Sequence, residues 1–80
     1  MLRDDDKYET NDLALAATLV ECGHALLQLD RSNPSRVVFI FIDTKESQQV
    51  VSDYWLNRIT VNPKSYFDTL KHLKTRIYAG

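Results

Sequence analysis

Two aspartates and a lysine have the residue types of a metal-dependent nuclease site. Asp30, followed later by Asp43-Thr44-Lys45, matches an Asp…Asp-x-Lys pattern in which both carboxylates must share a metal ion. The segments that end in Asp30 and Asp43 are predicted strands of one antiparallel hairpin. Seven residues at about 3.3 Å each would separate the two carboxylates by roughly 20 Å. The sequence therefore argues against a nuclease, and we interpret Asp43 as a helix cap.

The other residue types able to do covalent or metal chemistry are few. Cys22 and His24 could form a thiol–imidazole pair, but the electronegative end of a helix raises a thiol pKa, so we interpret Cys22 as a buried apolar residue. His24 and His72 have no evident partners, and one Cys with two His cannot complete a four-ligand metal site. Two glycines are too few for a phosphate-binding loop. We predict no catalytic residue, no metal, no cofactor and no enzymatic activity.

Basic residues in the last third of the chain are the candidate nucleic-acid contacts. They are Arg58, Lys64, Lys71, Lys74 and Arg76. These side chains could contact phosphates. However, Asp68 lies within the face formed by Lys64 and Lys71, and no series of Arg, Asn or Gln indicates base recognition. A small nucleic-acid-binding accessory protein is therefore the alternative function.

Charge is distributed unevenly along the chain. Residues 1–30 carry seven acids against two bases (net −5), and residues 31–80 carry eight bases against four acids (net +4). This asymmetry is compatible with mutual attraction of the two parts, with a nucleic-acid or acidic partner, or with self-association.

Length and composition indicate one soluble domain. The chain has 80 residues, of which 44% are hydrophobic and 26% charged, as in ordinary globular domains. We predict a flexible acidic tail over residues 1–7 and a single domain over residues 8–80. With one cysteine, no apolar run behind the N-terminal charges and no membrane-spanning stretch, we predict a cytoplasmic protein without a membrane partner.

The segments that must position all of these residues are arranged around the apolar run Val37–Ile42, which indicates a central strand covered on both faces. The other predicted elements are a helix over 11–22 ending at Gly23, an alternating strand over 24–30, a turn over 31–35, a helix over 44–57, either a third strand or a bridging extended piece over 59–61, and a helix over 63–78. The order is α-β-β-α-(β)-α, an α+β fold with helices packed over a small antiparallel sheet.

Three expectations concern the faces and caps of these elements. In the strand over 24–30, Ala25, Leu27 and Leu29 share one face. The spacing of Asp43 and Glu46 predicts a capping box for the second helix. On the first helix only three residues are left for solvent: Ala14, Thr18 and Glu21.

The apolar arc of the first helix is wider than one packed face requires, so another helix or a second copy must cover the excess. We predict self-association as a homodimer or larger homo-oligomer, or binding of a protein partner. The predicted interface residues are Leu15, Leu19, Trp55 and Leu56.

Several short motifs resemble those of a known family. They are Thr10-Asn11-Asp12-Leu13-Ala14-Leu15-Ala16-Ala17, Asp30-Arg31-Ser32-Asn33-Pro34, Arg36-Val37-Val38-Phe39-Ile40-Phe41, Tyr54-Trp55, and Val61-Asn62-Pro63 followed by Tyr66, Leu70 and Arg76-Ile77-Tyr78. The chain resembles a family of small bacterial and phage-associated proteins known only as a domain of unknown function. The resemblance spans nearly the whole chain after residue 7. It carries no catalytic assignment to transfer, it supports the predicted architecture, and it implies a phage or mobile-element setting.

Overall fold

A computed structural model describes residues 6–33 and 35–78 of the chain. Its elements are β1 (Lys7–Thr10), α1 (Leu13–Glu21), β2 (Leu26–Asp30), β3 (Val38–Ile42), α2 (Lys45–Trp55) and α3 (Pro63–Tyr78). The strands form one antiparallel sheet in the order β1-β3-β2. The α+β class predicted from the sequence is confirmed. Residues 1–5 of the predicted acidic tail lie outside the described residues.

The apolar run of the sequence forms β3, the middle strand of the sheet. Phe39 and Phe41 are fully buried on the face that meets the helices. They belong to one core cluster with Leu15 and Leu19 of α1 and Leu73 of α3. Because large aromatic side chains bury more apolar surface than any others, these two residues fix where the helices dock.

The opposite face of β3 carries the alternate residues and is not part of that core cluster. Ile40 is buried there, with Glu9 of β1 and Gln28 of β2 as its cross-strand neighbours. Ile42 is 40% exposed. In the described part of the chain, this side of β3 is shielded only by side chains of the flanking strands and not by a second layer. The expectation that β3 is covered on both faces is therefore wrong at Ile42.

The third strand of the sheet comes from a segment that the sequence did not indicate as a strand. The sequence left open whether 59–61 is a third strand or a bridging extended piece, and the third strand is β1, in which Tyr8 pairs with Phe41 and Thr10 with Phe39. The backbone N–H of Asp43 extends this pairing by donating to the Asp6 carbonyl at 2.7 Å. Since β1 and β2 occupy both edges of β3, residues 59–61 have no place beside it and form a loop.

A β-bulge in β2 changes which leucines face the core. Leu26 pairs with Phe41 but Gln28 pairs with Ile40, so Leu27 is the extra residue. Leu26 and Leu29 consequently both pack against the core, and Leu27 is 41% exposed. The predicted alternation, with Leu27 and Leu29 on the same face, is wrong at Leu27.

Helix α1 is capped at both ends and packed on most sides. The Asp12 carboxylate accepts from the N–H groups of Ala14 and Leu15 at 3.0 and 3.2 Å. Gly23 follows the helix with φ of +92°, as predicted for a left-handed residue there. Thr18 is buried rather than solvated, and its hydroxyl donates to the Ala14 carbonyl at 2.8 Å.

Helix α2 has the predicted capping box one residue later than expected. The Ser47 N–H donates to the Thr44 hydroxyl at 3.0 Å, and the Thr44 N–H donates to the Ser47 hydroxyl at 2.8 Å. Asp43 is therefore not the cap, and its carboxylate accepts from the Gln48 side chain at 3.1 Å instead. A serine can replace the usual Glu or Gln in this motif because its hydroxyl reaches the same N–H.

Helix α3 begins and packs as the sequence predicts. The Asn62 side chain accepts from the Ser65 N–H at 3.0 Å, and Pro63 is the first helical residue. Leu73 is buried in the core, with three other residues of the helix packed around it: Tyr66, Leu70 and Ile77. The Glu21 carboxylate at the end of α1 accepts from the hydroxyls of Ser65 and Thr69 at 2.8 and 2.6 Å, which fastens α1 to α3.

Candidate interaction site

The end of α2 places two large apolar side chains at an exposed corner. Leu56 caps the helix, with its N–H directed to the Ser52 carbonyl at 3.1 Å. Asn57 follows in the left-handed conformation with φ of 58°, so the chain turns away immediately. Trp55 is 63% exposed and Leu56 is 54% exposed. We call this pair the Trp55 corner.

A groove of about 350 Å³ adjoins the Trp55 corner. Seven residues line it, and none carries a formal charge: Thr18, Tyr54, Trp55, Asn57, Ile59, Val61 and Tyr66. We call it the Trp55 groove. Two exposed apolar side chains thus lie beside a groove whose lining carries no formal charge.

The aromatic groups of the Trp55 groove are held by the core. The Tyr54 and Trp55 rings meet edge to face, with centroids 5.0 Å apart and planes at 83°. Tyr54 packs against the core cluster, and the Tyr66 hydroxyl donates to the Ala14 carbonyl at 3.2 Å. Burial, followed by the charge of Asp12, raises the pKa of Tyr54. The groove thus has uncharged walls at neutral pH.

Only half of the interface predicted from the sequence lies at this surface. Trp55 and Leu56 are exposed, as required. Leu15 and Leu19 are almost fully buried in the core cluster of the same chain. The prediction for those two residues is corrected: α3 and the sheet cover the excess apolar arc of α1, so a second copy is not needed there.

The predicted basic residues are exposed but do not form one surface. Lys64, Lys71 and Lys74 follow one exposed line of α3 that also includes Phe67 and Tyr78. Lys64 forms an ion pair with Asp68 at 3.0 Å. The Lys71 ammonium lies 4.8 Å from the centre of the Phe67 ring. We call these five residues the Lys–aromatic stripe.

The remaining two bases lie elsewhere. Arg58 is in the loop between α2 and α3, where its N–H donates to the Asp53 carbonyl at 2.8 Å. Arg76 lines a groove on another side of α3.

The two aspartates of the nuclease-like pattern do not converge. Asp30 pairs with Val38 at the start of β3, and Asp43 follows the other end of that strand. Five residues at about 3.3 Å each separate those positions by about 16 Å. Hydrogen bonds from Ser32 lower the pKa of Asp30. In the part of the chain that the structure describes, no three His, Cys, Asp or Glu residues form a group able to hold a metal ion.

The cysteine is exposed, not buried as the sequence predicted. It lies beyond the last turn of α1, where its N–H still caps the helix by donating to the Thr18 carbonyl at 3.0 Å. Partial burial of the thiol, followed by the neighbouring Glu21 carboxylate, raises the pKa of Cys22. A raised pKa disfavours the thiolate form of Cys22.

A second groove was not anticipated from the sequence. It measures about 470 Å³ and lies between α3 and the sheet. Its lining residues are Val20, Leu26, Thr69, His72, Leu73, Thr75 and Arg76. We call it the α3 groove. Thr69, His72 and Arg76 are spaced i, i+3, i+7 along one side of a helix, and this spacing is the signal that could have revealed it.

Among the described residues, no helix is both long and apolar enough to cross a membrane.

Comparison with known proteins identifies a family without assigning an activity. No curated protein and no solved structure gives a significant match to the chain. One family model matches residues 5–79, which is nearly the full length. Its description is a domain of unknown function, as the sequence motifs implied. The chain therefore belongs to the DUF5659 family.

Proposed function

We propose that the protein is a non-enzymatic interaction module that binds a second copy of itself through the Trp55 corner and the Trp55 groove. The single observation that carries this proposal is the exposure of Trp55 and Leu56 beside a groove without charged residues. Tryptophan is enriched among the residues that dominate interface energies, and it acts best when it enters a pocket.

The absence of charge in the groove favours a second copy over a charged partner. A two-fold axis brings the same patch of both copies together, so the patch must be complementary to itself. An uncharged aromatic and aliphatic surface meets this condition without like-charge repulsion. The indole of one copy then enters the Trp55 groove of the other, and the reverse contact follows by symmetry.

The family resemblance and the composition support a cellular context for the proposed function. The resemblance to small bacterial and phage-associated proteins supports a bacterial or phage context. The single cysteine supports a cytoplasmic location, where disulfides are rare.

The test compares two exposed aromatic residues by sedimentation velocity across micromolar concentrations. Wild type should sediment as a dimer and Trp55→Ser as a monomer with an unchanged circular dichroism spectrum. Tyr78→Ser is the matched control because Tyr78 is 85% exposed but lies at the end of α3, so it should remain dimeric. A wild-type monomer, or a Trp55→Ser dimer of wild-type affinity, would contradict the proposal.

A second candidate function is single-stranded nucleic-acid binding through the Lys–aromatic stripe. Exposed aromatic rings can stack on bases while interspersed lysines contact phosphates. Lys64, Phe67, Lys71, Lys74 and Tyr78 alternate in this way along α3. The predicted Arg58 and Arg76 contribute little to this version because they lie off the stripe.

Fluorescence anisotropy of a labelled mixed-sequence single-stranded oligonucleotide tests the second candidate. Binding should weaken steeply between about 50 and 200 mM salt, with Lys71→Gln and Lys74→Gln each weakening it further. Lys45→Gln, a change of an exposed lysine on α2, is the matched control and should bind as wild type. Binding that is absent, or equal in all three variants, would remove this candidate.

A further inference from the structure

Strand β2 is an edge of the sheet, and α3 runs beside that edge. In the described residues, β2 pairs only with β3, so its other side has no strand partner. Arg31, which follows β2, donates to the carbonyls of Arg76 and Ile77 at 3.1 and 3.5 Å. The last turn of α3 and the C-terminal end of β2 are thereby held side by side. The α3 groove is lined by α3 together with Leu26 at the start of β2 and Val20 of α1.

The α3 groove combines an apolar floor with a polar rim. Val20, Leu26 and Leu73 supply the floor, and all three belong to the core or pack against it. The rim is formed by side chains of α3: Thr69, His72, Thr75 and Arg76. A volume of about 470 Å³ is enough for several side chains of a ligand.

We propose that the edge of β2 and the α3 groove together bind an extended peptide segment that carries an acidic side chain. The segment adds as a strand to β2, so its main chain bonds to N–H and C=O groups of that edge. Alternate side chains of a strand point to the same side. Every second residue of the bound segment therefore points into the groove and is apolar. The carboxylate of the segment's acidic side chain contacts Arg76.

The charges around the groove favour an acidic segment. Arg76 lines the groove and Arg31 lies at its end, and both guanidinium groups are permanently positive. None of the described residues that line the groove is acidic, and Arg76 is the one lining residue with a formal charge. Arg31 also satisfies carbonyls at the end of α3, which reduces the negative potential expected at a helix C-terminus.

The bulge in β2 restricts where the peptide can pair. Leu27 interrupts the regular pattern near the start of the strand, and the pairing is regular again from Gln28 to Asp30. Bulges on edge strands usually discourage pairing along the whole edge. The bound peptide should therefore pair with Gln28–Asp30. Near Leu27, where the apolar floor of the groove begins, the peptide should turn away from β2.

Selection from a phage-displayed library of random octapeptides tests the chemistry of the occupant. Against wild type, the selected sequences should alternate β-branched or aromatic residues with polar ones and carry one Asp or Glu within the alternation. Against Arg76→Gln, the enrichment of the acidic residue should disappear. Lys74→Gln is the matched control because it removes one positive charge from the same helix outside the groove, and it should select the wild-type pattern.

A synthetic peptide of the selected sequence then tests the site itself. Its affinity should fall at least about tenfold with Arg76→Gln, as expected for a charge-assisted hydrogen bond, and less than about twofold with Lys74→Gln. Amide resonances of Gln28–Asp30 and of the groove side of α3 should shift on titration. Replacing the acidic residue by its amide should reproduce the loss, whereas amidation of the peptide C-terminus should not.

Three results would overturn the proposal. One is a library selection that yields no alternating sequence. Another is a set of amide shifts confined to the Lys–aromatic stripe or to the Trp55 corner. The third is an equal loss of affinity for the two charge variants. Because Trp55→Ser leaves the α3 groove unaltered, peptide binding by that variant separates this proposal from the proposed self-association.

Discussion

Ser47 shows how much of the local structure depends on single hydroxyl groups. The side chain is almost fully buried, accepts from the Thr44 N–H at 2.8 Å and donates to the Thr44 carbonyl at 3.0 Å. The sequence indicated a helix start at this place but assigned the cap to Asp43 and Glu46. Adjacent residues with similar capping ability, Asp43 and Thr44, cannot be separated until the direction of the chain leaving β3 is known.

Replacing Ser47 with alanine should lower the free energy of unfolding by about 1–2 kcal/mol. The change leaves the Thr44 N–H without its acceptor in a partly buried position. Urea unfolding followed by circular dichroism measures the effect. Ser52→Ala is the control, because Ser52 is exposed in the middle of α2, and it should shift stability by less than about 0.5 kcal/mol. Equal effects of the two changes would contradict the cap.

The Cys22 thiol should titrate at higher pH in the folded chain than in the unfolded chain. Partial burial and the Glu21 carboxylate both disfavour the thiolate and so raise the pKa. Because the folded pKa is the higher one, this group favours unfolding as the pH rises above the unfolded pKa. The pH dependence of iodoacetamide alkylation, measured with and without urea, gives both midpoints.

Glu21→Gln provides the variant for the same experiment. It removes the charge contribution but keeps the partial burial, so the folded midpoint should fall without reaching the unfolded value. An alkylation midpoint of the folded chain at or below that of the urea-unfolded chain would contradict this environment for the Cys22 thiol.

At the scale of elements, the long segments were predictable and the short ones were not. Three helices and the hairpin of β2 and β3 follow from periodicity, caps and the Asn62-Pro63 start. Strand β1 has only four residues. Four residues give two periods of the apolar–polar alternation, which are too few to distinguish a strand from a tail. The bulge is invisible for a different reason: Leu26, Leu27 and Leu29 fit either face until the pairing with β3 is known.

The bulge predicts opposite consequences for two adjacent leucines. Leu26→Ala should destabilise the protein by about 1–3 kcal/mol because this side chain packs against the core. Leu27→Ala should cost less than about 0.5 kcal/mol, since the residue is largely exposed. Thermal and urea unfolding of both variants measure the difference. A larger loss of stability for Leu27→Ala than for Leu26→Ala would indicate the regular alternation and contradict the bulge.

At the scale of the whole molecule, the burial of α1 within the chain changes which apolar surface remains exposed. The sequence showed more apolar surface than one helix face can bury, but it could not show that α3 and the sheet would cover Leu15 and Leu19. Trp55 and Leu56 remain exposed, as the sequence predicted, but the groove beside them could not be recognised from the sequence because it depends on the turn at Asn57. The α3 groove is likewise a property of packing, since its floor comes from three separate elements.

The solution mass of the wild-type chain, measured by light scattering at low and high salt, is the most direct test of self-association. Apolar contact through the Trp55 corner predicts twice the mass of the 9.3 kDa chain at both salt concentrations, with or without added oligonucleotide. Burial of uncharged surface is insensitive to ionic screening, whereas phosphate binding is strongly sensitive. A monomeric mass at both salt concentrations, or a mass that rises only with oligonucleotide at low salt, would contradict the account.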